Sequence, residues 1–88
     1  MWIVYLLVND RSGEKYIGIT SDTERRLQEH NHQDGKSFTN KRKGKWVLVY
    51  CEKFLAKNDA IKRENRLKGH GRAKQELYKR AENSISEA

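Results

Sequence analysis

Two β-rich runs open the chain, residues 2–8 and 15–20, with the turn-forming segment NDRSGE between them. Val4, Leu6 and Val8 mark one face of the first run, and Ile17 and Ile19 mark one face of the second. Side chains alternate across a strand, so these aliphatics share a side of the sheet only if paired residue numbers sum to an odd value. A four-residue loop, Asp10 to Gly13, meets that condition, with Gly13 able to take a left-handed conformation. The same register sets Tyr5 opposite Gly18 and Tyr16 opposite Leu7, which makes the two tyrosines diagonal neighbours on the other face.

The pattern then changes period. Ser21 and Glu24 form a Ser-x-x-Glu capping box that predicts a helix from about Asp22 to His32. Leu27 is its only large apolar residue, so that face points inward. Arg26 and His30, one turn apart, flank the leucine and make the inward edge partly cationic. Residues 33–45, QDGKSFTNKRKGK, read as an exposed loop. WVLVYCE follows, a nearly unbroken apolar run that predicts a central strand covered on both sides. A second helix is expected from Asn58 to Lys68, stopped by Gly69 and Gly71. Ala73, Leu77 and Ala81 recur every fourth residue and predict a third helix that frays into ENSISEA. The expected organisation is one domain over residues 1–82 with a polar tail at 83–88.

Composition narrows the partners. Nineteen Lys and Arg oppose twelve Asp and Glu among 88 residues, a formal charge of +7. Such an excess on a small body suits an anionic partner such as nucleic acid, and it equally describes a basic protein that is merely soluble. Cys51 stands alone, which excludes an intramolecular disulfide and fits a reducing, cytoplasmic setting. Residues 1–8 are apolar but no basic segment precedes them, so they read as a strand rather than a signal peptide. No run is long enough to span a membrane.

The second helix carries an anomaly. Its apolar stripe is Ala60, Ile61 and Leu67, and the position between them at helical spacing is Glu64. A carboxylate on an inward face is costly unless it meets a cation or a metal. An ion pair with Arg26 and a metal site both answer the requirement. Four histidine and cysteine residues, His30, His32, Cys51 and His70, raise zinc, but His30 and His32 point apart on a helix and no Cys-x-x-Cys is present. Zinc is rejected.

Val4-Tyr5, Tyr16-Ile17-Gly18, Arg26 and His30 in the following helix and Glu64 in a later one resemble, in that order, the GIY-YIG endonuclease superfamily. YIGITSDTERRLQEH and AIKRENRLK are similar to its short stand-alone bacterial members, and the similarity runs from residue 2 to residue 69. The resemblance implies an α+β fold with a three-stranded antiparallel sheet flanked by helices. It implies hydrolysis of phosphodiester bonds in nucleic acid, DNA before RNA, with one divalent metal, Mg²⁺ or alternatively Mn²⁺, on a single glutamate. Carried over, the tyrosines of the two motifs are Tyr5 and Tyr16, the helix arginine is Arg26, the helix histidine is His30 and the metal-binding glutamate is Glu64. Two departures stand out. Ile3 and Val4 replace the first motif's glycine and isoleucine, at positions that need only pack. Ile19 stands where some relatives have a lysine that assists proton removal.

The chemistry fits these residue types. A hard cation on one carboxylate keeps most of its coordination sites for water and phosphate oxygens. Arg26 suits charge stabilisation on the phosphate. A phenol with a pKa of about 10 is a poor base, but a neighbouring arginine and metal favour the phenolate. Tyr5 is therefore expected to take the proton from water and Tyr16 to position water or phosphate, with the reverse assignment open. His30 orients Tyr5 or relays its proton. Lys36, Lys41, Arg42, Lys43 and Lys45 are expected to track phosphate backbone, with Phe38 stacking on a base, although a plain solvated loop reads the same way. Two other readings remain: a non-cleaving nucleic-acid-binding module on the same fold, and a protein-interaction domain. With no appended targeting domain in view, weak intrinsic specificity or a targeting protein partner is expected.

Overall fold

The computed structural model describes residues 1–31 and 44–88. Three strands, β1 (Trp2–Asn9), β2 (Lys15–Thr20) and β3 (Trp46–Phe54), form one antiparallel sheet in the order β2-β1-β3. Helix α1 (Thr23–Asn31) lies between β2 and β3 in sequence, and α2 (Lys57–Gly69), α3 (Gly71–Arg80) and α4 (Glu82–Glu87) follow β3. This is the expected α+β architecture.

The β1–β2 register is the one that the aliphatic alternation requires: Tyr5 pairs with Gly18, Leu6 with Ile17 and Leu7 with Tyr16. The loop closes through the Asn9 side chain, whose Oδ1 accepts the backbone N–H groups of Arg11 and Ser12, each at 3.0 Å. Gly13 has φ +75° and donates its N–H to the Asn9 carbonyl at 2.9 Å.

The sheet separates two cores. Val4, Leu6 and Ile17 pack with Ala60 and Leu67 of α2 and with Ala73, Leu77 and Ala81 at α3 and its end. Tyr5, Leu7 and Trp46 form the other, against which Ile3, Tyr16, Leu27 and Leu48 pack. Burying an aliphatic side chain in this way contributes roughly 1.5–3 kcal/mol each.

Three expectations are corrected. The central strand is β1, buried on both faces, and β3 lies at an edge. The apolar run in β3 has a different cause: a bulge between its partners Leu6 and Leu7 pairs them with Tyr50 and Leu48 and leaves Val49 as the extra residue. Consecutive Val49 and Tyr50 then both pack on the first core while Leu48 faces the second, so an edge strand reads as uninterrupted apolar sequence.

The start of α1 is also different. Asp22, not Ser21, caps the helix, its Oδ1 accepting the Arg25 N–H at 3.1 Å. Thr20 fixes the corner before it, accepting the Asp22 N–H at 3.1 Å on its hydroxyl oxygen. Finally, fraying was expected beyond Ala81, where the short helix α4 instead forms and Ile85 packs on the first core.

The β3 edge is tied to α2. Arg63 donates from Nε and Nη2 to the two carboxylate oxygens of Glu52 at 2.8 and 3.1 Å, and the Tyr50 hydroxyl donates to the same carboxylate at 3.0 Å. These bonds, Arg63 first, hold the Glu52 carboxyl below the usual range.

Candidate active site

Tyr5 and Tyr16 leave the sheet on the face that α1 covers. Their ring centroids are 6.2 Å apart. Gly18, opposite Tyr5 on β2, lies under the Tyr5 ring: a Cβ there would fall 2.6 Å from Tyr5 Cζ and 3.0 Å from a Tyr16 ring carbon. Only a residue without a side chain fits beneath the phenol.

α1 delivers its two polar residues to the same point. Nε2 of His30 is 3.0 Å from the Tyr5 hydroxyl, and Nε of Arg26 donates to that hydroxyl at 3.3 Å. The His30 ring also lies 4.8 Å from Tyr16, centroid to centroid. The fourfold spacing of Arg26 and His30 places both on one side of α1, and the Asp22 cap sets where that side begins. Asn31 locks the far end of the helix: its Nδ2 donates to the Trp46 carbonyl at 3.0 Å and its Oδ1 accepts the Trp46 N–H at 2.7 Å. Asn31 was not singled out from the sequence, where an asparagine near a helix C-terminus signals only a chain reversal.

Burial sets the protonation states. Tyr5 is 3% exposed, and desolvation pushes its phenol up to about 12 against the opposing pull of Arg26. His30 is 1% exposed; burial first, then the Arg26 charge, brings its imidazole down to about 4. Arg26 is held above its ordinary range, chiefly by the bond to Tyr5. The expected cationic edge is therefore carried by Arg26 alone near neutral pH, and the phenolate form of Tyr5 is disfavoured in this state. Arg26 can only donate, so the Tyr5 oxygen accepts from Arg26; in the His30 tautomer with Nε2 unprotonated, the neutral phenol donates to Nε2. No hydrogen bond engages the Tyr16 hydroxyl among the described residues.

Glu64 approaches from α2. Its side chain is 16% exposed and pairs with Lys68 at 3.3 Å. Lys68 Nζ lies 5.6 Å from the Tyr16 ring centroid, and the Glu64 charge is close enough to disfavour ionisation of Tyr5. The ion pair expected as one explanation of Glu64, with Arg26, does not form; Arg26 pairs with Glu29 at 3.1 Å. Glu64 brings one carboxylate and a half-exposed lysine counter-ion that an incoming cation can displace. Among the described residues no group of three His, Cys, Asp or Glu surrounds it. That donor set fits a hard cation whose other ligands are water and substrate oxygens.

All five residues carried over from the sequence, Tyr5, Tyr16, Arg26, His30 and Glu64, thus come to one region. Lys36, Phe38, Lys41, Arg42 and Lys43 lie outside the described residues. Lys45 is exposed, and its backbone is pinned to the hairpin loop, its N–H donating to Asp10 Oδ1 at 2.8 Å.

Comparison with known proteins gives the family of the chain. The family model of the GIY-YIG catalytic domain matches residues 1–79. The chain belongs to the GIY-YIG family. Among its relatives, a UPF0213 protein of Halobacterium salinarum is 41% identical over 64 residues, spanning 73% of this chain and 82% of the relative. A UPF0213 protein of Staphylococcus saprophyticus is 37% identical over 68 residues, 77% of this chain and 82% of the relative. The solution NMR structure of the UPF0213 protein BH0048 from Bacillus halodurans superposes with a TM-score of 0.52 at 33% identity, covering 88% of this chain and 81% of that one. Membership of the GIY-YIG family places the chain in a nuclease superfamily, one whose members generally use a divalent metal and act on nucleic acid. No helix among the described residues is long and apolar enough to cross a membrane.

Proposed function

We propose that this protein is a metal-dependent endonuclease that hydrolyses phosphodiester bonds in nucleic acid, DNA before RNA. The observation that carries this reading is the Tyr5 hydroxyl held between a permanent donor, Arg26 Nε, and Nε2 of a neutral His30. A purely structural tyrosine needs one partner. This one has a fixed hydrogen-bond donor on one side and an imidazole that can take a proton on the other, near the Glu64 carboxylate.

Glu64 would hold the cation, Mg²⁺ or alternatively Mn²⁺, after releasing Lys68. When bound, the cation supplies charge neutralisation at the phosphate and acidifies water. Because Tyr5 is protonated near neutral pH, proton removal from the attacking water runs as a relay. The phenol passes its proton to Nε2 of His30 as it takes one from water, so the tyrosine ends neutral and the imidazole ends protonated. Arg26 stabilises charge that develops on the phosphate oxygens. Tyr16, with its hydroxyl unengaged among the described residues, positions the water or the phosphate.

The test is incubation of the parent protein and its Glu64→Gln variant with DNA and RNA in Mg²⁺ or Mn²⁺. Cleavage by the parent and its loss in the variant is the expected outcome. A parent that binds nucleic acid without cleaving it in either metal would sink the enzyme reading and leave a non-cleaving module on this fold.

A further inference from the structure

Tyr16 has a second environment that the proposed chemistry does not use. It lines a cleft of about 210 Å³ together with Lys15 and Ile17 of β2, Lys68 of α2, and Lys74 and Tyr78 of α3. One strand and two helices that follow much later in the chain bring three lysines to the lining of one small space. Lys68 has Glu64 as its partner. Lys15 donates to the Gly13 backbone carbonyl at 3.5 Å, and neither Lys15 nor Lys74 makes an ion pair among the described residues. Three lysines lining one cleft, two of them with no ion-pair partner among the described residues, give it a positive charge that an anion would complement.

The tyrosine rings say which part of a nucleic acid fits. Lys15 Nζ lies 5.2 Å over the Tyr78 ring and Lys68 Nζ 5.6 Å over Tyr16. Those ring faces are occupied by cations rather than open to a base. The walls offer positive charge with no stacking platform, which suits a phosphodiester. By contrast, the larger cleft lined by Arg66, His70, Arg72, Ala73 and Glu76 contains a carboxylate and none of the candidate site residues.

We infer that the Lys15–Lys68–Lys74 cleft seats a backbone phosphate flanking the one presented to Tyr5 and Tyr16, reading charge rather than base sequence. The inference rests on the proposed function for the location of the reacting phosphate. It adds the path that the strand takes from the site, over β2 toward α3.

Binding is measured by fluorescence anisotropy with fluorescein-labelled DNA and RNA oligonucleotides, in the Glu64→Gln background so that nothing is cleaved. Lys15→Ala/Lys74→Ala should lower affinity at least tenfold at low salt. It should also make the salt dependence shallower by about one phosphate contact, ~0.7 to 0.9 in the log–log slope. DNA and RNA should respond alike. Lys62→Ala/Lys79→Ala removes the same charge from exposed positions of α2 and α3 outside the cleft and should change affinity less than threefold. Lys74→Gln alone, which keeps the length of the side chain, should move affinity in the same direction as the pair. Equal losses in the two double variants, no loss in the cleft pair, or no binding by the parent would each overturn the inference. A parent that fails to cleave while the cleft pair still loses binding selectively would overturn the nuclease reading and leave the phosphate seat standing.

Discussion

The hydroxyl of Tyr5 and Nε2 of His30 meet at 3.0 Å, although the residues are 25 positions apart and arise from the central strand and the first helix. Both groups are almost completely buried, so neither can exchange this partner for water at little cost. The pair is at once a packing contact between sheet and helix and the proton path of the proposed reaction.

Replacing each tyrosine by phenylalanine should separate the two roles. Tyr5→Phe strips Arg26 Nε and His30 Nε2 of their shared partner and should cost about 1–3 kcal/mol in denaturant unfolding. Tyr16→Phe should cost under about 0.5 kcal/mol, since no hydrogen bond to its hydroxyl is lost among the described residues. Both should reduce cleavage. Retention of full cleavage by Tyr5→Phe would remove it from the relay.

Gly18→Ala is the smallest change that attacks the site through its scaffold. The new methyl meets the Tyr5 ring, and relief requires moving that ring relative to His30. A loss of about 1–3 kcal/mol is expected, as for other overpacked interiors, with a larger proportional loss of cleavage. Thermal unfolding and initial rates measured on the same sample check this.

Stability should fall in mild acid through His30. Its imidazole titrates at about 4 in the folded chain against a reference of 6.5, so between these values the unfolded chain binds the extra proton. Its contribution is complete above about pH 6.5 and is lost progressively as pH falls to about 4, by roughly 3 kcal/mol. His30→Phe should flatten that part of the pH–stability curve, read by urea unfolding at several pH values.

Asn31→Ala should loosen the end of α1. Two hydrogen bonds to the Trp46 backbone disappear, at a cost of about 2 kcal/mol. Amide exchange should quicken at Trp46, whose N–H is one of the two groups released.

Lys68→Met should strengthen cation binding at Glu64, because the ammonium and the metal compete for one carboxylate. Lys68 is half-exposed, so the gain is about threefold in Mg²⁺ affinity, measurable by isothermal calorimetry. An unchanged or weaker affinity would count against Glu64 as the metal ligand.

What the sequence by itself determined is the part governed by local period and order. The positions of Val4, Leu6, Ile17 and Ile19 restrict the hairpin to registers with odd sums, and with the four-residue loop Asp10–Gly13 this puts Tyr5 over Gly18 beside Tyr16. The fourfold spacing of Arg26 and His30, and the place of Glu64 between Ala60 and Leu67, likewise follow from helical geometry. Tertiary structure decided the rest, because the deciding quantities belong to no single segment. Strand order depends on which run is covered on both faces, and the bulge at Val49 gave an edge strand the sequence of a central one. Whether Asp22 or Ser21 caps α1 depends on the corner that Thr20 imposes. The charge states of Tyr5 and His30 depend on how completely packing removes water: for Tyr5 that desolvation outweighs Arg26, and for His30 the two act together. The partner of Glu64 is Lys68, on its own helix, because Arg26 is already held by Tyr5 and Glu29.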